Sequence, residues 1–179
     1  STPCEHSFPT RRSSDLDYFL QRRELGVINI GGAGTVTLDG EKHELGARDG
    51  LYVGLGIKEI SFTSVDAKNP AKFYMNSATA HKNYPTVEIS LEKANKVQAG
   101  SDEECNKRVI NQYVHPAVCK SCQLVMGMTI LSSGSVWNTM PCHTHDRRME
   151  VYLYFDMDEE NVVFHLMGTP QEKIGRAHV

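Results

Sequence analysis

Two of the eight histidines, His143 and His145, stand two positions apart in the stretch MPCHTHDRRMEVYLYF, and Glu150 follows at the head of an alternating run. On an extended strand, side chains two apart point the same way, so both imidazoles can be presented to one ion. Glu150 lies an odd number of positions beyond His145, which puts it on the opposite face of a single continuous strand. A turn over residues 146–148 removes that conflict, because Glu150 then opens the next antiparallel strand and faces the same ion. Two imidazoles and a carboxylate suit a first-row divalent cation such as Zn, Fe, Mn or Ni, and three protein ligands leave a position for substrate or a fourth ligand. Two histidines at this spacing also arise on ordinary surface strands, and the residues alone leave both readings open.

The residues downstream agree with a strand. Glu150, Tyr152 and Tyr154 fall on one face, while Val151, Leu153 and Phe155 fall on the other. The tyrosines then flank the acid on the ligand side and the aliphatics pack elsewhere.

The elements that must position these groups are short, glycine-punctuated strands. Val27, Ile28 and Ile30 lead into GGAG, residues 35–38 form a β-branched run, and Asp39-Gly40 is a tight-hairpin pair. Further β-prone runs follow at 43–45, 51–53, 59–63 and 72–75, the rhythm of a sandwich or barrel rather than of βαβ units. GGAG could pass for a dinucleotide fingerprint, but that motif needs a helix after the glycines, and a β-branched strand follows here. A strand bend or bulge is the plainer reading. Residues 85–118 are polar and read as a linker carrying one strand at 108–114, with a weak helical preference at 91–100. A second β unit begins near Cys119, with strands expected at 123–131, 136–139, 150–155 and 162–167.

Composition narrows the function classes. Nineteen Lys and Arg against 22 Asp and Glu give a net charge of −3, without the dense basic stripe that neutralises phosphates, so nucleic acid is excluded as a partner. The apolar runs fall far short of the roughly 20 residues of a membrane span. Five unevenly spaced cysteines without a secretory signal argue against a disulfide framework and for the cytoplasm. Cys119-Lys-Ser-Cys122 has CxxC spacing but lacks the further ligands of a zinc knuckle and the βαβ setting of a redox motif. The opening SFPTRRSSDL and the closing IGRAHV resemble translated adapter DNA and continue neither neighbouring pattern, so residues 1–16 and 174–179 are set apart as non-native tails.

His-x-His-x4-Glu, preceded by a glycine-bearing turn at Gly134, resembles the first metal motif of the cupin superfamily, small jelly-roll β-barrels. WNTMPCHTHDRRMEVYLYF, LGVINIGGAG, MGMTILSSGSVWNTM and VVFHLMGTPQE closely resemble the 5-keto-4-deoxyuronate isomerase family over about residues 17–172. The resemblance implies an all-β bicupin: a metal-free first cupin at 17–84, a linker at 85–118, and a partial second cupin at 119–173, cut short within its barrel. It implies Zn2+ held by His143, His145 and Glu150, with a fourth ligand, a histidine, beyond this chain. The first cupin offers YVGLGIKE, without histidine, where cupins commonly place Pro and then His.

The activity implied is a metal-assisted aldose–ketose isomerisation of a small uronate in pectin breakdown, by a homo-oligomer, commonly a hexamer. Tyr152 and Tyr154 are then candidates for proton transfer, and Arg147 and Arg148 for binding the uronate carboxylate. His165 is expected to line the barrel or its core, as are His43, His81 and His115, and His178 lies in the closing tail. Two histidines and one carboxylate also form the facial triad of non-haem iron oxygenases, and a non-catalytic sugar-binding cupin is a third alternative. Weak metal affinity and little activity are expected of the 179-residue chain itself.

Overall fold

Asp39 and Gly40 both adopt positive φ, 47° and 92°, and so build the tight turn whose twist matches the flanking strands. On either side run β2 (Gly34–Leu38) and β3 (Glu41–Leu45), in register from Leu38 opposite Glu41 to Gly34 opposite Leu45. The computed structural model describes residues 16–138 and 143–166. Expectations placed on Cys4, Thr139, Cys142, Met167, His178 and most of the two tails lie outside the described residues. The chain divides into two compact units, Ser1–Val136 and Trp137–Val179.

The first unit is all-β. A 3-10 turn at Phe19–Gln21 precedes β1 (Arg23–Asn29), and β4 (Gly50–Val53), β5 (Ile60–Ser64), β6 (Phe73–Thr79) and β7 (Val87–Ile89) follow the hairpin. Next come β8 (Asn95–Ala99), β9 (Arg108–Val114) and β10 (Met126–Leu131). They form three antiparallel sheets in the orders β6-β1-β4-β7, β3-β2-β5 and β10-β9-β8. The described residues contain no α-helix, and none of their helices is long and apolar enough to cross a membrane. Antiparallel sheets packed face to face around one apolar interior are the cupin type of β fold expected from the sequence.

That interior holds Leu25 and Val27 from β1, Leu51 and Val53 from β4, Val36 and Leu38 from β2, Leu45 from β3, and Leu20 from the 3-10 turn. Each such side chain, fully buried, contributes about 1.5–3 kcal/mol. The opposite face of the four-stranded sheet is covered as well. A Cβ at Gly26 would lie 2.7 Å from Met126 Sδ, and one at Gly50 would lie 2.6 Å from the Tyr113 ring. These glycines let the β9–β10 sheet seat directly on the backbone of β1 and β4. Two covered faces account for the unbroken burial of β4 and of β1 beyond Arg23, where a half-exposed sheet would alternate.

The GGAG stretch is the bend between β1 and β2. Asn29, fully buried, donates its amide to the carbonyls of Gly32, Leu45 and Gly46 at 2.8–3.1 Å and accepts from Gly31 N and Lys72 N. A Cβ on Gly32 would overlap the Asn69 carbonyl oxygen, so glycine serves close backbone approach there.

Residues 85–118, expected to carry a single strand, contain β7, β8 and β9. The weak helical preference at 91–100 gives way to β8, because pairing with β9 from Asn95 opposite Gln112 to Ala99 opposite Arg108 supplies the ladder that local propensity does not reveal. His43, buried on β3, meets Glu88 on β7 at 2.8 Å, so the expected core histidine is a polar tie between two sheets.

Cys119 and Cys122 belong to a loop held by a buried acid. Glu24 accepts the backbone N–H groups of Cys122, Gln123 and Leu124, each at 2.7 Å, and the Tyr52 hydroxyl at 2.8 Å. Burial pushes the Cys119 thiol up from its ordinary pKa, away from the thiolate that metal binding or redox exchange requires.

Candidate functional site

The second unit carries the residues singled out for chemistry, and its described part contains no β-ladder. The strands expected at 150–155 and 162–167 are absent among the described residues. Alternation assigns sides to a segment, but a strand also needs a partner that accepts its N–H groups. The expected turn is present as bends at Asp146 and Arg147. A second reversal at 156–161, with Asp156 at φ 59° and Asn161 N bonded to Asp158 O at 3.0 Å, returns the chain so that His165 meets the tyrosines.

His145 and Glu150 come together: Nε2 stands 3.1 Å from Oε1. Two donors sharing an ion at about 2.0–2.2 Å each stand roughly 3 Å apart, so this pair already has a ligating separation. A cationic group collects both, since Arg148 Nη2 is 2.6 Å from His145 Nε2 and 3.2 Å from Glu150 Oε1. The His143 ring lies beside them, its centroid 4.7 Å from that of His145 and its plane at 83° to it. Among the described residues no three His, Cys, Asp or Glu side chains converge on one point as they stand. The donor set therefore fits a divalent ion in kind and neighbourhood, with two of the three groups at ligating distance.

Tyr152 joins the cluster through its hydroxyl, which donates to Glu150 Oε2 at 2.9 Å. Partial burial works to raise the Glu150 carboxyl, but the Tyr152 hydroxyl, His145 and Arg148 outweigh it and hold the group below the usual carboxylate range. Tyr154 stacks on Tyr152 at 6.3 Å and 17°, as the shared face of alternate residues predicts, and its hydroxyl lies 2.5 Å from His165 Nδ1. Burial pushes the Tyr154 phenol up. Arg147 is exposed and lines a shallow, open concavity with Thr144, His145, Asp146 and Arg148.

Sequence reasoning missed two features of this cluster. Arg148, read as a substrate-binding fork, is tied to the ligand pair. His165, read as a lining or core residue, is half-buried and partnered by Tyr154. A signal for the second was present in the polar run DMDEEN, which separates two apolar segments as a chain reversal does.

The chain is similar to curated relatives named 4-deoxy-L-threo-5-hexosulose-uronate ketol-isomerase. The protein of that name from Lachnoclostridium phytofermentans is 65% identical over 156 residues, covering 87% of this chain and 56% of the relative. Those from Yersinia pseudotuberculosis and Yersinia pestis are 59% and 58% identical over 157 residues, each match covering 88% of this chain and 56% of the relative. The chain thus spans about half the length of the curated relatives it matches. The model of the KduI/IolB family matches residues 9–179, nearly the whole chain, and the chain belongs to that family.

Proposed function

We propose that the protein is a metal-assisted ketol-isomerase of uronate breakdown, interconverting 5-dehydro-4-deoxy-D-glucuronate and 3-deoxy-D-glycero-2,5-hexodiulosonate in the cytoplasm. The observation that carries this reading is the 58–65% identity to relatives bearing the ketol-isomerase name. The placement of His145 and Tyr152, each within hydrogen-bond reach of Glu150, supports it.

Aldose–ketose isomerisation is redox-neutral within one molecule. A proton leaves C2, a proton arrives at C1, and the O2 hydroxyl proton ends on O1, so that the carbonyl moves to C2. His143, His145 and Glu150 are the residues that would hold Zn2+. When bound, the ion supplies Lewis-acid stabilisation of the oxygens on the two reacting carbons. Tyr152 and Tyr154 are the candidates for moving the proton, because their hydroxyls stand on the same side of the segment as the carboxylate. Arg147 and Arg148 are the candidates for binding substrate oxygens beside the ligands, and Arg148 would have to release Glu150 and His145 for those two to serve as ligands. The working form is a homo-oligomer, in keeping with the hexamers implied by the resemblance, and β5 and β6 end their sheets as edges open to pairing.

The test is direct conversion. The dehydro-deoxyuronate released by unsaturated-uronate breakdown is incubated with the full-length protein, with Zn2+ or with chelator, and followed by NMR in the absence of oxygen. Appearance of the hexodiulosonate, lost on chelation, supports the reading. Turnover that requires oxygen would point to an iron oxygenase, and saturable binding without product would point to a sugar-binding cupin.

A further inference from the structure

The second unit carries a strip of polar and aromatic groups that runs away from the ligand pair. It begins at Glu150, passes through the Tyr152 hydroxyl at 2.9 Å, and reaches the His165 ring, 5.0 Å from the Tyr152 ring and 5.9 Å from that of Tyr154. An open six-carbon acid spans roughly 6–7 Å from first to last carbon. With the reacting carbons beside Glu150, the far end of such a molecule lies over the Tyr152–Tyr154 pair, against His165.

The His165 ring is held in place by its neighbour. The Tyr154 hydroxyl stands 2.5 Å from His165 Nδ1, and its phenol, pushed up by burial, has a proton to donate there. A neutral imidazole that accepts at Nδ1 carries its own proton on Nε2. Nε2 has no hydrogen-bond partner among the described residues, and the ring is half-buried rather than fully solvated. The arginines do not serve this end of the strip, since Arg148 is bound to Glu150 and His145 at the other.

We infer that His165, oriented by Tyr154, donates its Nε2–H to the carboxylate at the far end of the sugar acid and so selects an acid over a neutral sugar of the same length. His165 is then a specificity-determining residue and Tyr154 a positioning residue, leaving Tyr152 as the tyrosine nearest the reacting carbons. The inference rests on the isomerase reading for the identity of the acid. Its physical content, a carboxylate donor built by Tyr154 and His165, can be measured separately.

The test uses 15N NMR of the histidine rings and arginine side chains in the chain as it stands, titrated with D-galactonate and with galactitol. These are open six-carbon chains that differ at one end, carboxylate against alcohol. Galactonate is expected to shift His165 Nε2, while galactitol at the same concentration does not. Tyr154→Phe is expected to weaken the galactonate response about tenfold, the scale of one hydrogen bond to a charged group. His165→Gln, which keeps an N–H donor, retains more binding than His165→Ala, and unchanged ring resonances of His143 and His145 report that the second unit keeps its arrangement. Equal shifts by both compounds, or galactonate shifts on Arg147 and Arg148 with His165 silent, would overturn the inference. Isomerase turnover with a silent His165 removes this assignment and leaves the activity standing, whereas a responsive His165 without turnover does the reverse.

Discussion

Glu24 and Tyr52 meet at 2.8 Å in the interior of the first unit, carboxylate to hydroxyl, with neither side chain reaching solvent. The same carboxylate gathers three successive backbone N–H groups from the loop at Cys122–Leu124. Glu24→Ala strips four donors of their acceptor at once. It is expected to destabilise the unit by about 3 kcal/mol or more, read as the shift in the urea midpoint. Glu24→Asp, with its shorter reach, should recover only part of that loss.

Alkaline pH should weaken the same region. Burial raises the pKa of both Tyr52 and Tyr113. For Tyr52 the hydrogen bond to Glu24 and its charge add to the effect, and Tyr113 is pushed up to about 12 with Asp49 assisting and Arg48 opposing. The protonated phenols belong to the folded state, so their stabilisation is complete below the ordinary tyrosine value of about 10 and is lost as pH rises through 12. Urea midpoints measured from pH 8 to 12 should fall above pH 10. Tyrosinate absorbance should show two phenols that ionise only as the fold is lost, and Tyr113→Phe should flatten the decline.

The glycines separate into two kinds. Gly32→Ala places a methyl group on the Asn69 carbonyl and is expected to cost up to about 3 kcal/mol, since backbone must move. Gly40 has positive φ but open space around it, so Gly40→Asn, which tolerates that conformation, should change thermal stability by less than about 1 kcal/mol. Comparable losses at both sites would contradict the close approach at Gly32.

Metal binding provides the fourth prediction. Zn2+ titrated into the chain by calorimetry is expected to bind weakly, since three donors are on hand and one of them, His143, must turn to join the other two. Glu150→Gln and His145→Ala should each abolish the binding heat. Arg148→Met should strengthen binding, because it removes the cation that occupies the pair. Unchanged affinity in Glu150→Gln would remove this carboxylate from the ligand set.

Much of the first unit was legible because its signals are local. Asp39-Gly40 names its own turn, and the β-branched run at 35–38 names β2. The packing of the β9–β10 sheet against β1 was hidden, since Gly26 and Gly50 announce room without saying what fills it. β8 was hidden for a related reason: NKVQA has no strong strand preference and becomes a strand by pairing with β9. At the candidate site, the shared side of Glu150, Tyr152 and Tyr154 followed from alternation alone. The partners of Arg148 and His165 did not, because both depend on chain reversals at 146–147 and 156–161 whose geometry a residue pattern leaves open.

The four-stranded sheet, with β1 paired to both β4 and β6 and covered on each side, makes β1 common property of two layers. Its amide hydrogens can reach solvent deuterium only when both coverings part, so they should exchange last and at a rate set by global opening. A lesion in either layer is then felt through the other, and residues 16–136 melt as a single cooperative body.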